Sequence, residues 1–112
     1  MNSTRVLCVE NQPECLVSLI ELLQAAGYEV IPATSAAEAL QILSEEDFEG
    51  ILLEYDLPDL IGTAVRRRMK HIRPEVPVML FTGIGSETPM LVRFFDAYLR
   101  DEKYPEWELG DS

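Results

Sequence analysis

Short apolar runs alternate with longer amphipathic segments along most of the chain, and this alternation constrains the fold more than any other feature. The apolar runs predict four strands and a brief fifth one, over residues 5–9, 28–31, 48–53, 77–81 and 97–99. Residues 51–53, Ile-Leu-Leu, are typical of a strand that is buried on both faces. Strands that alternate with helices are parallel and are joined by right-handed crossovers. The pattern therefore predicts an α/β fold with a doubly wound, five-stranded parallel sheet.

The segments between the strands carry the start and stop signals of helices. They predict helices over residues 14–26, from Ser35, over residues 63–72 and from Thr88. Ser35 and Glu38 form a capping box, in which the serine accepts a hydrogen bond from a free backbone N–H and the glutamate reaches back. Gly27 ends the first helix, and Pro89 suits the first turn of the last one. Each predicted helix thus lies between two predicted strands.

The chain is strongly acidic, with 20 Asp and Glu residues against 9 Lys and Arg residues and a formal net charge of -11. Nucleic acids and anionic membranes are held by clustered positive charge, so neither is an expected partner. Five of the nine bases lie between Arg66 and Arg73 on the third helix. We interpret them as a solvated helix end that complements the helix dipole, with contact to an acidic protein as the open alternative.

The length of 112 residues is that of one domain, which we predict to span residues 1–103. No signal-peptide pattern opens the chain and no apolar run approaches 18 residues, so a cytoplasmic protein is predicted. Residues 104–112 are an acidic tail whose proline and polar residues interrupt any helical period. We therefore expect the last helix to be short or missing. The apolar face of the later strands then needs a cover, either the tail or a second copy in a homodimer.

Polar side chains follow the predicted strands. Glu10 and Asn11 come after the first strand, Glu54 ends the third, and Thr82 follows the fourth. In open α/β sheets, ligands bind where the carboxyl ends of the strands meet. Carboxylate and amide oxygens suit Mg²⁺, and a rim of acids without a cation repels itself and raises some of its pKa values. The alternative is that the loops of an acidic protein carry these acids by chance.

No arrangement for nucleophilic catalysis is visible in the sequence. Cys8 lies in the middle of the first strand, and His71, the single histidine, lies on the third helix. Neither residue therefore has an expected catalytic partner. The chain is predicted not to be an enzyme.

Four stretches of the sequence resemble the response-regulator receiver family, which is CheY-like, across residues 5–101. They are VLCVENQPE, AAGYEVIPATSAAEALQIL, FEGILLEYDLPDLIG and PVMLFTG. The resemblance implies a flavodoxin-like sheet with strand order 2-1-3-4-5 and a role in two-component phosphorelay signalling. It also implies a protein partner, either a histidine kinase or a downstream signalling protein. In that family an acidic pair binds Mg²⁺, and an aspartate accepts a phosphoryl group from the kinase.

The resemblance assigns the functional positions of the family to residues of this chain. The acidic pair falls on Glu10 and Asn11, and the phosphoacceptor falls on Glu54, four residues before Pro58. The phosphate-contacting hydroxyl, the aromatic switch residue of the fifth strand and the phosphate-pairing lysine fall, in that order, on Thr82, Tyr98 and Asp101.

Three of these positions depart from the chemistry of the family. Asn11 removes a carboxylate from the metal pair, Glu54 is one methylene longer than aspartate, and Asp101 is negative where a cation neutralises phosphate. We therefore predict a pseudo-receiver that acts through protein contacts, with weak Mg²⁺ binding, if any, by Glu10, Asn11, Glu54 and Asp56. One alternative is a functional receiver phosphorylated on Glu54 or, in a slipped register, on Asp56. Another is that Glu54 imitates a phosphorylated aspartate.

Overall fold

The computed structural model describes residues 4–82 and 88–100, which form four strands and four helices. The strands are β1 (Thr4–Val9), β2 (Tyr28–Ala33), β3 (Gly50–Glu54) and β4 (Val78–Phe81). The helices are α1 (Pro13–Ala25), α2 (Ala36–Glu45), α3 (Gly62–Ile72) and α4 (Thr88–Arg100). The strands pair in parallel in the order β2-β1-β3-β4. This is the predicted doubly wound α/β fold, with its first four strands in the predicted order.

Strand β3 lies between β1 and β4 and is buried along its whole length. Val9 of β1 pairs with Leu53, and Phe81 of β4 pairs with Glu54. A parallel strand with helices on both faces has no side open to water, which explains the continuous apolar run of β3. The carboxyl ends of β1, β3 and β4 therefore lie side by side at one edge of the sheet.

Two apolar cores lie on opposite faces of this sheet, because successive side chains of a strand alternate between its faces. Leu7 and Val9 of β1 belong to the core formed with α2 and α3. Val6 and Cys8 belong to the core formed with α1 and α4. Every strand thus contributes to both layers of helices.

The first turn of α2 confirms the predicted capping box and refines it. Ser35 Oγ accepts a hydrogen bond from the Glu38 N–H over 3.1 Å. The Glu38 carboxylate reaches back one residue further than the box requires, and accepts from the Thr34 N–H over 2.8 Å. Both side chains satisfy N–H groups that a helix start leaves without an intrahelical partner.

Residues 97–99, predicted as a fifth strand, lie instead in the last turns of α4. The buried residues of this helix recur at helical intervals and are Thr88, Val92, Phe95 and Tyr98. Neither glycine nor proline interrupts the chain between Pro89 and Arg100. Three residues with strand propensity do not outweigh a helical period of this length, so the prediction of a strand here was wrong.

Helix α4 packs beside α1 on the face of the sheet that we expected to need a cover. Phe95 is fully buried there, with its ring 6.1 Å from the ring of Tyr28. The Tyr28 hydroxyl donates to the Asp96 carboxylate over 2.5 Å. The end of α4 reaches the start of β3, because a Cβ placed on Gly50 would lie 2.7 Å from the Leu99 side chain. The cover expected from the tail or from a second copy is thus provided by α4.

The longest helices among the described residues are α1 and α4, with 13 residues each. Within these ranges, no helix is both long enough and apolar enough to cross a membrane.

Candidate functional site

Two buried carboxyl groups meet at the carboxyl ends of β1 and β3. Glu10 follows β1, Glu54 is the last residue of β3, and the two strands are paired up to Val9 and Leu53. Only 1% of Glu10 and 5% of Glu54 is exposed. The two side chains face each other closely enough for a side-chain hydrogen bond, which is one of the causes that raise the pKa of Glu54.

Each carboxyl group is also turned toward the loop that follows its own strand. Glu10 Oε2 accepts a hydrogen bond from the Gln12 N–H over 2.8 Å. Glu54 Oε2 accepts from the Asp56 N–H over the same distance. The backbone of each loop therefore holds the carboxyl group of the strand before it.

The pKa of Glu54 is raised above that of an exposed glutamate. Burial is the largest cause, because removal from water disfavours the charged form. The nearby charges of Glu10 and Asp56 raise it further, while the Asp56 N–H opposes the change. The rise in pKa that we expected for an acidic rim is thus found at Glu54.

The loop after β3 is closed tightly against the end of that strand. The Gly62 N–H donates to the Tyr55 carbonyl over 2.7 Å, and the Tyr55 N–H donates to the Phe81 carbonyl over 2.7 Å. A Cβ on Gly62 would lie 2.6 Å from the Tyr55 Cα and 3.1 Å from the Glu54 carbonyl oxygen. Glycine at this position therefore allows the loop to return close to the site.

Asp59 joins the same loop to the start of α2. Its two carboxylate oxygens accept hydrogen bonds from the N–H groups of Ala36 and Ala37, each over 3.0 Å. These bonds favour the charged form and lower the pKa of Asp59. The sequence carries no signal of this contact, because an acid more than twenty residues from a helix has no fixed spacing to it.

The other residues predicted around the phosphoacceptor lie at the same end of the sheet. Asn11 is half-buried, whereas Asp56 and Thr82 are exposed. Thr82 directly follows Phe81, the partner of Glu54 in the sheet. The half-buried Cys15, which the sequence analysis did not place here, lies close enough to Glu10 and Glu54 for their charges to contribute to its raised pKa, although burial is the largest cause.

Tyr98, predicted as the switch residue of a fifth strand, is not part of this site. It is buried on α4, next to Leu99, which contacts Gly50 at the amino end of β3. Glu54 ends the same strand, and four residue steps along a strand span roughly 13 Å. Tyr98 is thus near the opposite end of the sheet, and its predicted placement was wrong because it depended on the strand at 97–99. Asp101 and the tail at 104–112 lie outside the described residues.

The chemistry of the carboxyl pair fits a weakly held Mg²⁺. Mg²⁺ keeps several of its waters in proteins and is often held by one or two carboxylates, which Glu10 and Glu54 can supply. Within residues 4–82 and 88–100, no three acidic, histidine or cysteine side chains converge closely enough to hold a metal ion.

Comparison with known proteins shows what this fold is similar to. A family model described as the response regulator receiver domain matches residues 6–101. The response regulator receiver protein CpdR of Brucella abortus is 30% identical over 82 residues, which cover 73% of this chain and 68% of CpdR. Sporulation initiation phosphotransferase F of Bacillus subtilis is 28% identical over 85 residues, which cover 76% of this chain and 68% of that protein.

Some relatives are much longer than this chain. The aerobic respiration control protein ArcA of Escherichia coli is 30% identical over 92 residues, which cover 82% of this chain but 38% of ArcA. The chain therefore corresponds to one part of such proteins.

Solved receiver domains have the same fold. The receiver domain from Methanospirillum hungatei has a TM-score of 0.71 and 29% identity, and the match covers 83% of this chain and 74% of that chain. The BeF3-activated DrrB receiver domain has a TM-score of 0.65 and 28% identity, with 83% and 77% covered.

Proposed function

The chain belongs to the response regulator receiver domain family, and on that premise we propose that it is a pseudo-receiver. In this role it is a module of two-component signalling that acts through protein contacts, and its carboxylate site does not accept a phosphoryl group. Its partner is a histidine kinase or a downstream signalling protein, met in the cytoplasm. The observation that carries the proposal is the burial of Glu54 beside a second acid, Glu10, at the ends of two paired strands, with only 5% of Glu54 exposed.

A phosphoacceptor carboxylate must be ionised and must be reached by the phosphodonor. Its oxygen attacks phosphorus, and the bond from phosphorus to the leaving group breaks with the electron pair going to that group. Such an attack needs the reacting atoms about 3–3.5 Å apart and in line. Glu54 is 5% exposed, has a raised pKa and accepts a hydrogen bond from the Asp56 N–H. All three features work against Glu54 as a nucleophile.

The charges around Glu54 also work against phosphoryl transfer. Charge that develops on a transferred phosphoryl group is stabilised by cations and aligned donors. The charged neighbours that raise the Glu54 pKa are Glu10 and Asp56, both acids. We propose that Mg²⁺ binds weakly here, because Asn11 stands where the resemblance places the second acid of the pair. Weak Mg²⁺ would leave much of this negative charge in place.

A second candidate function is a functional receiver that is phosphorylated on Asp56. Asp56 is exposed, whereas Glu54 is buried, so a small phosphodonor reaches the Asp56 carboxylate more easily. The alternative of phosphorylation on Glu54 itself is less well supported, because Glu54 is buried beside Glu10 and would first have to become accessible.

Incubation with acetyl phosphate and Mg²⁺, followed by intact-mass measurement, tests the proposal. We expect the mass of the wild-type chain to stay unchanged. The matched comparison is the double variant Asn11→Asp/Glu54→Asp, which restores the acids of the family and is expected to accept more phosphoryl group than the wild type. A phosphoryl adduct on the wild-type chain would overturn the proposal. Loss of that adduct in Asp56→Asn or in Glu54→Gln would identify the acceptor.

A further inference from the structure

Helix α3 is strongly basic, although the chain as a whole has a net charge of -11. Thr63, Arg66, Arg67 and Lys70 follow one another at i, i+3, i+4 and i+7 and therefore share one face of the helix. These four residues line a depression of about 250 Å³. We call this depression the α3 groove.

The α3 groove lies on the side of the helix toward β4. Lys70 Nζ donates to the carbonyl of Val76 over 2.7 Å, and Val76 lies two residues before β4. Arg73, just after the helix, is directed the other way, and its Nε donates to the Leu43 carbonyl of α2 over 3.1 Å. Of the five basic residues predicted as one helix end, three line the groove, Arg73 contacts α2, and Arg68 is exposed outside the groove.

The groove is positively charged and the molecule as a whole is negatively charged, and together these charges favour a short acidic ligand. Two adjacent guanidinium groups, those of Arg66 and Arg67, suit carboxylates, which arginine binds through paired hydrogen bonds. At physiological salt, the field of a charge is screened within about 8 Å. A short acidic segment can stay within the positive field of the groove. A nucleic acid or an anionic membrane extends beyond it and meets the acidic remainder of the surface.

We propose that the α3 groove binds an acidic peptide segment of a partner protein. The carboxylates of that segment pair with Arg66 and Arg67, and the Lys70 ammonium contributes positive charge at the β4 side. This inference rests on the proposed function, since it names the chemistry of the partner through which a pseudo-receiver acts. A phosphoryl adduct on the chain would overturn the proposed function without changing the affinity of the groove for an acidic peptide, so the two failures are distinguishable.

Titration with a short fluorescent peptide of alternating glutamate and serine, followed by anisotropy, tests the inference. We expect saturable binding to the full chain that weakens with added salt. The double variant Arg66→Glu/Arg67→Glu is expected to bind about tenfold more weakly, because two attractive pairs become repulsive. Arg67→Glu alone, at an exposed position, gives the same test in weaker form if the double variant does not fold.

The matched control is Arg93→Glu/Arg100→Glu, which changes the net charge equally at two exposed positions of α4, on the other face of the sheet from the groove. Its affinity for the peptide is expected to stay within about twofold of the wild type, since charges beyond the Debye length are screened. Equal weakening in both double variants would show a response to net charge and overturn the inference. Equal binding of a peptide with glutamine for glutamate would overturn it, as would tighter binding of a single-stranded oligonucleotide.

Discussion

The carboxyl groups of Glu10 and Glu54 lie where burial disfavours the charged form of a carboxyl group. Both side chains are almost fully removed from water, and they meet at the ends of two neighbouring strands. Two carboxylates so close repel each other, whereas a carboxyl and a carboxylate form a hydrogen bond. The folded chain therefore binds a proton at Glu54 over a pH range in which the unfolded chain has released it, as the raised pKa of Glu54 indicates.

This linkage predicts the effect of pH on the variant Glu54→Gln. Because the folded-state pKa of Glu54 lies above its unfolded value, the wild type loses stability as pH rises through the window between the two. Glutamine still accepts from the Asp56 N–H and donates to Glu10 without ionising. We expect Glu54→Gln to raise the free energy of unfolding at pH 7 by about 1 kcal/mol. At pH values below the pKa of glutamate in the unfolded chain, this gain in the free energy of unfolding is expected to disappear.

Urea unfolding measured from pH 4 to pH 8 checks this prediction. Glu21→Gln, which removes an exposed acid of α1, is the control and should show no comparable dependence on pH. A gain for Glu54→Gln that is the same at every pH would contradict the raised pKa of Glu54.

At the scale of elements, local signals predicted the strands and helices well where periodicity and breakers agreed. The run before Glu54 predicted β3, and Ser35 with Glu38 predicted the start of α2, because both signals depend on near neighbours in sequence. Residues 97–99 were misassigned because the helical period was not followed past Phe95. The parallel order of the strands predicted that Glu10 and Glu54 lie close together. It did not predict the hydrogen bond between their side chains, since that depends on the depth of burial and on the loops.

The contact of Asp59 with α2 shows how one loop residue couples two elements, and it predicts a loss of stability in Asp59→Ala. Removing the two hydrogen bonds to Ala36 and Ala37 is expected to lower the free energy of unfolding by about 1 kcal/mol at pH 7. The folded-state pKa of Asp59 is lowered, so its contribution is present above the unfolded pKa and is lost as pH falls through the folded one. The free energies of unfolding of the wild type and of Asp59→Ala are therefore expected to converge at strongly acidic pH. Denaturant unfolding of both chains at neutral and at strongly acidic pH measures this.

Asp47→Ala is the matched control for this loop acid. Asp47 lies 3.5 Å from an Arg73 nitrogen, but its side chain is 94% exposed. Exposed ion pairs contribute about 0–1 kcal/mol, so we expect a smaller effect than in Asp59→Ala. If the two variants are equally stable at pH 7, Asp59 does not cap α2 in solution.

At the scale of the whole molecule, α4 completes a layer that the first three helices leave half covered. α2 and α3 together cover one face of the sheet, whereas α1 shares the other face with α4. The homodimer that we predicted as a cover is therefore not needed for this purpose and stays a prediction for light scattering.

The dependence of the whole fold on α4 predicts different outcomes for two neighbouring phenylalanines. Phe95 is fully buried between α1 and the sheet, whereas Phe94 is 45% exposed. We expect Phe95→Ala to lower the free energy of unfolding by about 3–5 kcal/mol, a large part of the total for a small domain. Phe94→Ala is expected to lower it by less than about 1.5 kcal/mol, because half-exposed side chains lose less on truncation.

Thermal unfolding followed by circular dichroism compares the two variants. A single transition at lower temperature in Phe95→Ala would show that α4 unfolds together with the sheet. If the transition of Phe95→Ala matched that of the wild type, α4 would not belong to the cooperative unit, and the face beside α1 would need another cover.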